Sequence, residues 1–333
     1  MKDFKLKYGK PITPFLIFMA LACNETKTDK PENQTETVER THIVFVTGDE
    51  EYRSEESMPM IAKLAKRELN ADVSVAYALD SLGFIDPNRT DHIAGLEALK
   101  TADLMVLFTR FRNLPNDERG LITAYVESGK PIVGFRTATH AFMYEKDSTL
   151  FEFNEAWPAK VFGQQWITHH GHFDDGKFPV TDISMKQGQE DHIILRGFKP
   201  FQAYSWLYHV DGGDWKLQGD SEPILMGHST KSQHEIDGNL DKYPLDNPVA
   251  WTKSYTGSSG KKARVFFTTL GHPYDFKLAE VRKIALNGIF WALGKENEIP
   301  KEGVDVALDT PYEPNNSGFG TKFKPNQKPK PIQ

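Results

Sequence analysis

Cysteine is all but missing from this sequence: Cys23 stands alone among 333 residues. A single thiol near the amino end removes structural disulfides, cysteine-based zinc sites and thiolate catalysis from everything that follows it. Excess positive charge is missing as well. The formal net charge is −6, which argues against nucleic acid as a partner. The amino-terminal apolar run, Pro11 to Ala22, is short for a membrane-spanning helix, which needs about 20 residues. Residues 24–40 (NETKTDKPENQTETVER) carry almost no apolar surface to offset the entropy of ordering, so they read as a flexible linker.

What the amino end does have is the layout of a signal peptide over residues 1–22. Lys2, Lys5, Lys7 and Lys10 precede the apolar core Phe15-Leu-Ile-Phe-Met19, and Ala20-Leu21-Ala22-Cys23 follows. Those small residues resemble the lipobox of bacterial lipoproteins, in which the cysteine is acylated and becomes the mature terminus. The resemblance implies an exported chain held through a lipid on Cys23 to a bacterial membrane, on its periplasmic or cell-surface face.

Residues 41–298 then read as one α/β domain, and 299–333, ending in TKFKPNQKPKPIQ, as an irregular, tether-like tail. Thr41 to Thr47 is a continuous β-branched and apolar run, as expected for a strand buried on both faces of a parallel sheet. Ser54 or Ser57 can cap a following helix with Pro59 in its first turn and Ile61, Leu64, Ala65 and Leu69 on one face. Val73–Leu79 is a second strand. Helical spacing returns at Ile93, Leu96 and Leu99, followed by strand Leu104–Phe108, helix Asp117–Ser128 and strand Pro131–Phe135. After a less regular stretch from Phe162 to about Trp251, Arg264–Thr269 restores the strand pattern and Phe276–Leu293 the helical one. This alternation predicts an open, doubly wound, mostly parallel sheet in three α/β/α layers.

In such sheets ligands bind outside the carboxyl ends of the strands. The unusual polar residues fall there: Asp49, Glu50, Glu51, Tyr52 and Arg53 after the first strand; Arg110 and Arg112 after the third; Arg136, Thr137, Thr139 and His140 after the fourth; Gly271 and His272 after the late strand. The densest cluster is Trp166-Ile-Thr-His169-His170-Gly-His172. In an extended strand His170 and His172 share a face and His169 takes the other. A His-x-His pair can supply half of a site for a divalent metal such as zinc, completed by His272, His140 or a carboxylate. It equally occurs as metal-free hydrogen-bonding groups. His42, His92, His209, His228 and His234 have no such company and read as surface or core residues.

The stretches VTGDEEYRSEESMPM, LFTRFRNLP, GFRTATHAF, WITHHGH, PVAWTKSY and RVFFTTLGHPYDF together resemble the ThuA (trehalose utilisation) family, within the class I glutamine amidotransferase-like fold. They span residues 41–295. In amidotransferase relatives the fourth-strand turn is a Gly-x-Cys-x-Gly nucleophile elbow; here the same spacing is Gly134-Phe-Arg136-Thr-Ala138. A guanidinium stays protonated and cannot attack a carbonyl, so the chain is not a glutamine amidotransferase. The resemblance implies a role in catabolism of disaccharides or keto-sugars.

Two functions follow. One is an enzyme acting on a saccharide, with His170, His172, His272 and Glu50 as catalytic or metal-binding groups. Its substrate would be held by Tyr52, Arg53, Arg110, Arg112, Arg136, Thr137, His140 and Trp166. The other is a non-catalytic module that captures glycans at the cell surface. A homo-oligomer is compatible with either.

Overall fold

The computed structural model describes residues 40–333; the signal peptide, Cys23 and all but the last residue of the linker lie outside the described residues. Among the described residues eleven strands occur, nine of them in one sheet. The elements in chain order are β1 (His42–Gly48), α1 (Ser54–Leu69), β2 (Asp72–Ala76), β3 (Leu104–Thr109), α2 (Asn116–Glu127), β4 (Ile132–Phe135), α3 (Ala156–Phe162), β5 (Thr168–His169), β6 (Thr181–Met185), β7 (Phe201–Ala203), β8 (Tyr208–His209), β9 (Glu222–Ser229), α4 (Gln233–Ile236), β10 (Asp246–Thr256), β11 (Lys262–Thr268) and α5 (Ala279–Ala292). The order is β2-β1-β3-β4-β11-β10-β9-β6-β7, with β5 and β8 paired in a separate short ribbon. Strands β2, β1, β3, β4 and β11 run parallel, and the half beyond β11 is antiparallel.

The all-apolar runs expected for the parallel half are there for the expected reason. In β1, Ile43 and Phe45 pack with Ile61, Ala65, Ile284 and Ile289 of α1 and α5. Val44 and Val46 face the opposite layer, with Ile122 and Val126 of α2 and Val161 of α3. Both faces are covered, so alternation gives way to continuous hydrophobicity.

Local differences have local causes. Gly95 takes φ 93° and the spacing at Ile93–Leu99 resolves into a 3-10 turn, Leu96–Lys100, instead of an α-helix. Neither Ser54 nor Ser57 caps α1. Arg53 occupies the N-cap position at φ 54°, while Ser54 Oγ accepts from Gly48 N at 3.1 Å, and Pro59 lies inside the helix beyond its first turn. The last helix begins at Ala279, because Pro273–Lys277 forms its own 3-10 turn capped by His272.

The tail is irregular in secondary structure but packed rather than tether-like. Val304 and Val306 are buried against the α5 layer. Its backbone carbonyls are taken up by side chains of the domain: Arg67 donates to Ala307 O at 2.9 Å, Arg282 to Val306 O at 3.2 Å and Lys66 to Ile332 O at 2.6 Å. A polar composition does not register such partners, because they are supplied by other elements of the domain, Arg67 and Lys66 lying more than two hundred positions away in sequence.

Candidate functional site

At the carboxyl edge, the turn after β1 is organised by Asp49. Its fully buried carboxylate accepts from the amides of Glu51 (2.7 Å) and Tyr52 (2.8 Å) and from Thr137 Oγ1 of the turn after β4. Thr137 is thereby committed to joining two turns and is not available to a ligand. Glu50 pairs through one oxygen with Arg110 and through the other with Arg112. Arg112 spends its remaining donors on the carbonyls of Pro87, Arg89 and Arg110 at 2.6–3.0 Å. Arg112 is a buried strut, and Glu50, gripped on both oxygens, is not free to shuttle protons.

Arg136 is the second strut. It stands at φ 39°, in the left-handed region where non-glycine residues are uncommon, and is completely buried. Its guanidinium lies between the rings of Tyr52 (4.2 Å) and Tyr208 (4.4 Å). It donates to Thr269 O at 2.9 Å, Trp206 O at 3.3 Å and Tyr52 Oη at 3.0 Å. The cation ties the fourth-strand turn to the late strand and to the β8 ribbon. Tyr52 and Arg136 are thus internal partners. Arg53 is also buried and donates to the carbonyls of Glu50 and Gly318.

The His-rich segment departs from the expected periodicity. Strand β5 ends at His169, and Gly171 at φ 117° turns the chain. The rings brought together are therefore His169 and His172, 4.6 Å apart and edge to face. His170 points the other way, with Nδ1 2.7 Å from Ser232 Oγ and its ring 5.3 Å from His234. The expected His170–His172 half-site is not formed. Among the described residues no group of three or more His, Cys, Asp or Glu is placed to hold a metal ion.

Nor do His140, His170 and His272 converge. His140 packs against Phe111 (4.9 Å), Trp166 (5.5 Å) and Tyr208 (6.2 Å). His272 stacks on Tyr204 at 5.6 Å. Both of its ring nitrogens are engaged: Nδ1 accepts from Tyr274 N at 3.1 Å, which leaves the proton on Nε2, 3.0 Å from Ser317 Oγ. Ser317 in turn donates to Asp175 Oδ1 at 2.6 Å. A ring so occupied is a fixed donor rather than a proton shuttle.

Along the edge runs a row of contacting groups that opens to solvent at Trp166, His172 and Phe319. Trp166 is 40% exposed and lies between His140 and His169 (6.4 Å). His172 is exposed and touches Trp206 at 4.7 Å. On the far side of His140 the row continues through Phe111 to the Arg110 guanidinium (4.2 Å) and then Phe319, which is 56% exposed (5.1 Å). Arg110 also lies 3.1 Å from Glu51 Oε2. Of the residues expected to hold the substrate, Arg110, His140 and Trp166 belong to this row, together with His172, which was expected as a catalytic or metal-binding group. Tyr52, Arg53, Arg112, Arg136 and Thr137 support it from beneath.

Two imidazoles of the row, His140 and His169, are neutral with opposite polarity. Burial, aided by Arg110 and Arg136, holds His140 well below its usual pKa; burial and the neighbouring His172 take His169 down to about 3. Thr139 Oγ1 donates to Arg136 O and accepts from His140 Nδ1 at 3.1 Å, so His140 Nε2 carries the lone pair. His169 Nδ1 accepts from Gly171 N at 3.1 Å, so its Nε2 carries the proton. One ring accepts and the other donates, a pairing suited to hydroxyl groups. Burial, reinforced by Asp49 and opposed by Arg110, raises the Glu51 carboxyl. The sequence emphasised Glu50, His170 and His272; His169, Glu51, Phe111 and Phe319 emerge from the geometry. The alternation rule would have found His169 had the turn at Gly171 been anticipated.

A comparison with curated proteins finds no match. Among solved structures, the chain resembles a ThuA-like protein from Bacteroides uniformis at 16% identity and TM-score 0.47, covering 79% of this chain and 95% of that one. It also resembles one from Parabacteroides merdae at 15% identity and TM-score 0.46, covering 86% and 100%. The family model described as trehalose utilisation matches residues 42–292, the whole sheet with its edge loops, and the chain belongs to the ThuA family.

Proposed function

We propose that the row from Arg110 to His172 binds a saccharide and that the protein acts on a disaccharide or keto-sugar there, with Glu51 moving the proton. One observation carries the reading: an exposed indole, Trp166, flanked by two neutral imidazoles of opposite hydrogen-bond polarity. An indole face takes the apolar C–H face of a pyranose, while a donor and an acceptor beside it take its hydroxyls. Neutral rings lose no charge solvation when a ligand covers them. A carboxyl raised toward neutrality is a better proton-transfer group than an ordinary one, and Arg110 beside Glu51 is suited to hold an oxygen that gains negative charge. The family's link to trehalose utilisation supports the same substrate class.

Calorimetry with trehalose and its 3-keto derivative, coupled to product analysis on the same samples, tests this. Wild type binds and converts one of them, Trp166→Ala loses binding, and Glu51→Gln binds without conversion. Binding by wild type with no conversion would replace the enzyme by a glycan-capturing module. No binding at all would remove the saccharide reading. We also infer export and acylation at Cys23, supported by the Ala20–Cys23 motif. Labelled palmitate is incorporated into the wild-type chain in a bacterial host and not into Cys23→Ala; equal labelling of both would rule it out.

A further inference from the structure

The family match ends at residue 292, yet residues 315–319 lie against the candidate site. Gly318 is bonded in both directions to the turn after β1: its amide donates to Glu51 O at 2.8 Å and its carbonyl accepts from Arg53 at 2.9 Å. Ser317 is buried between His272 and Asp175. Asn316 Nδ2 donates to Asp175 O at 2.9 Å. With its neighbours anchored, Phe319 extends outward with its ring beside Arg110. What sets this ring apart from other exposed apolar side chains is its place: a well-held segment fixes it beside Arg110, in the row that leads to the exposed Trp166.

We propose that Asn315–Phe319 is a wall of the saccharide site, in which Phe319 presents its ring to the ligand and His272 is a positioning residue holding it there through Ser317. The proposal rests on the saccharide reading for its ligand, but the anchoring does not. Phe319 and Trp166 are exposed aromatics joined by Arg110, Phe111 and His140, so both border one surface. Aromatic faces at two places on such a surface suit a sugar ligand, which offers apolar patches separated by hydroxyls. The latch has a defined direction: His272 Nε2–H donates to Ser317 Oγ, and the Ser317 hydroxyl donates to Asp175. The same direction excludes Ser317 as an activated nucleophile, because the imidazole facing it has no lone pair on that nitrogen.

The full chain tests both parts. Saccharide affinity is measured by calorimetry with trehalose and its 3-keto derivative for wild type, Phe319→Ala, Phe319→Trp, Ser317→Ala and Trp166→Ala. Amide exchange at Gly318 is followed without ligand for wild type and Ser317→Ala. Phe319→Ala weakens binding roughly tenfold, the loss of one aromatic platform; Phe319→Trp restores it, and Ser317→Ala speeds exchange at Gly318 and weakens binding less. Unchanged affinity in Phe319→Ala beside a loss in Trp166→Ala overturns Phe319 as a ligand residue and leaves the saccharide reading standing. If wild type binds neither sugar, the reading and Phe319's ligand fall together. The latch is then judged on exchange alone, and equal rates in wild type and Ser317→Ala overturn it.

Discussion

Replacing Arg136 by methionine tests whether the cation in the turn after β4 is a structural strut. Methionine keeps much of the volume and removes the charge and every donor. Three acceptors then lose a partner: the carbonyls of Thr269 and Trp206 and the hydroxyl of Tyr52. Leaving a buried acceptor unsatisfied costs about 1–3 kcal/mol, although Tyr52 can rotate its hydroxyl. Two stacked faces are lost as well, at 4.2 and 4.4 Å, each contributing on the order of 1 kcal/mol. Against this, folding no longer has to strip water from a guanidinium, which is worth several kcal/mol. The backbone carbonyls cannot turn away, so the balance falls on the side of loss, by about 3 kcal/mol. For a domain of this size that lowers Tm by about 6 °C. Differential scanning calorimetry on wild type, Arg136→Met and Arg136→Lys checks it. Lysine retains the charge without the planar stack and falls between the two. A Tm for Arg136→Met equal to or above wild type would refute the strut.

Three more outcomes follow from the same contacts. Glu55 is only 7% exposed, and burial, opposed by Arg53, raises its pKa from 4.5 to about 8. A carboxyl raised in the folded state contributes its stability below the unfolded pKa and loses it as pH climbs through the folded one. Glu55→Gln is therefore expected to gain Tm over wild type progressively between about pH 4.5 and 8, and a difference that is flat in pH would count against the raised value. Gly197 sits at φ 71° with Glu302 O only 1.7 Å from where a Cβ would go, so Gly197→Ala forces the tail off the domain. It should cost about 2 kcal/mol or more in urea unfolding, and an unchanged midpoint would show that the tail is not packed there. Asp275 accepts from the amides of Tyr204, Gly271 and His272 and from Ser205 Oγ. Asp275→Asn turns donors against donors and is expected to destabilise by about 2–3 kcal/mol, with faster amide exchange at Gly271 and His272 as the local signature.

The parallel half of the fold was legible because β1, β3 and β4 are buried on both faces, so their composition alone marks them. The loops that carry the candidate row were legible for the same reason, since strand ends announce the loops that follow. Which polar residues face outward was not. Arg112 and Arg136 carry the charges of a ligand clamp, but their donors end on backbone carbonyls of distant segments, and no local pattern records where a carbonyl will point. The histidine assignment failed at one residue: alternation holds only while the strand does, and Gly171 ends it. The tail was misread because its polar composition hides the few apolar residues, Val304 and Val306, that seat it.

The packing of residues 315–319 has a consequence for how the molecule is made. Every element of the sheet, from β1 to β11, leaves the ribosome before the segment that covers Glu51, Arg53 and His272. A nascent chain can thus collapse its core while the rim is still unfinished, and competence for ligand would arrive as a late and separate event in the life of each copy.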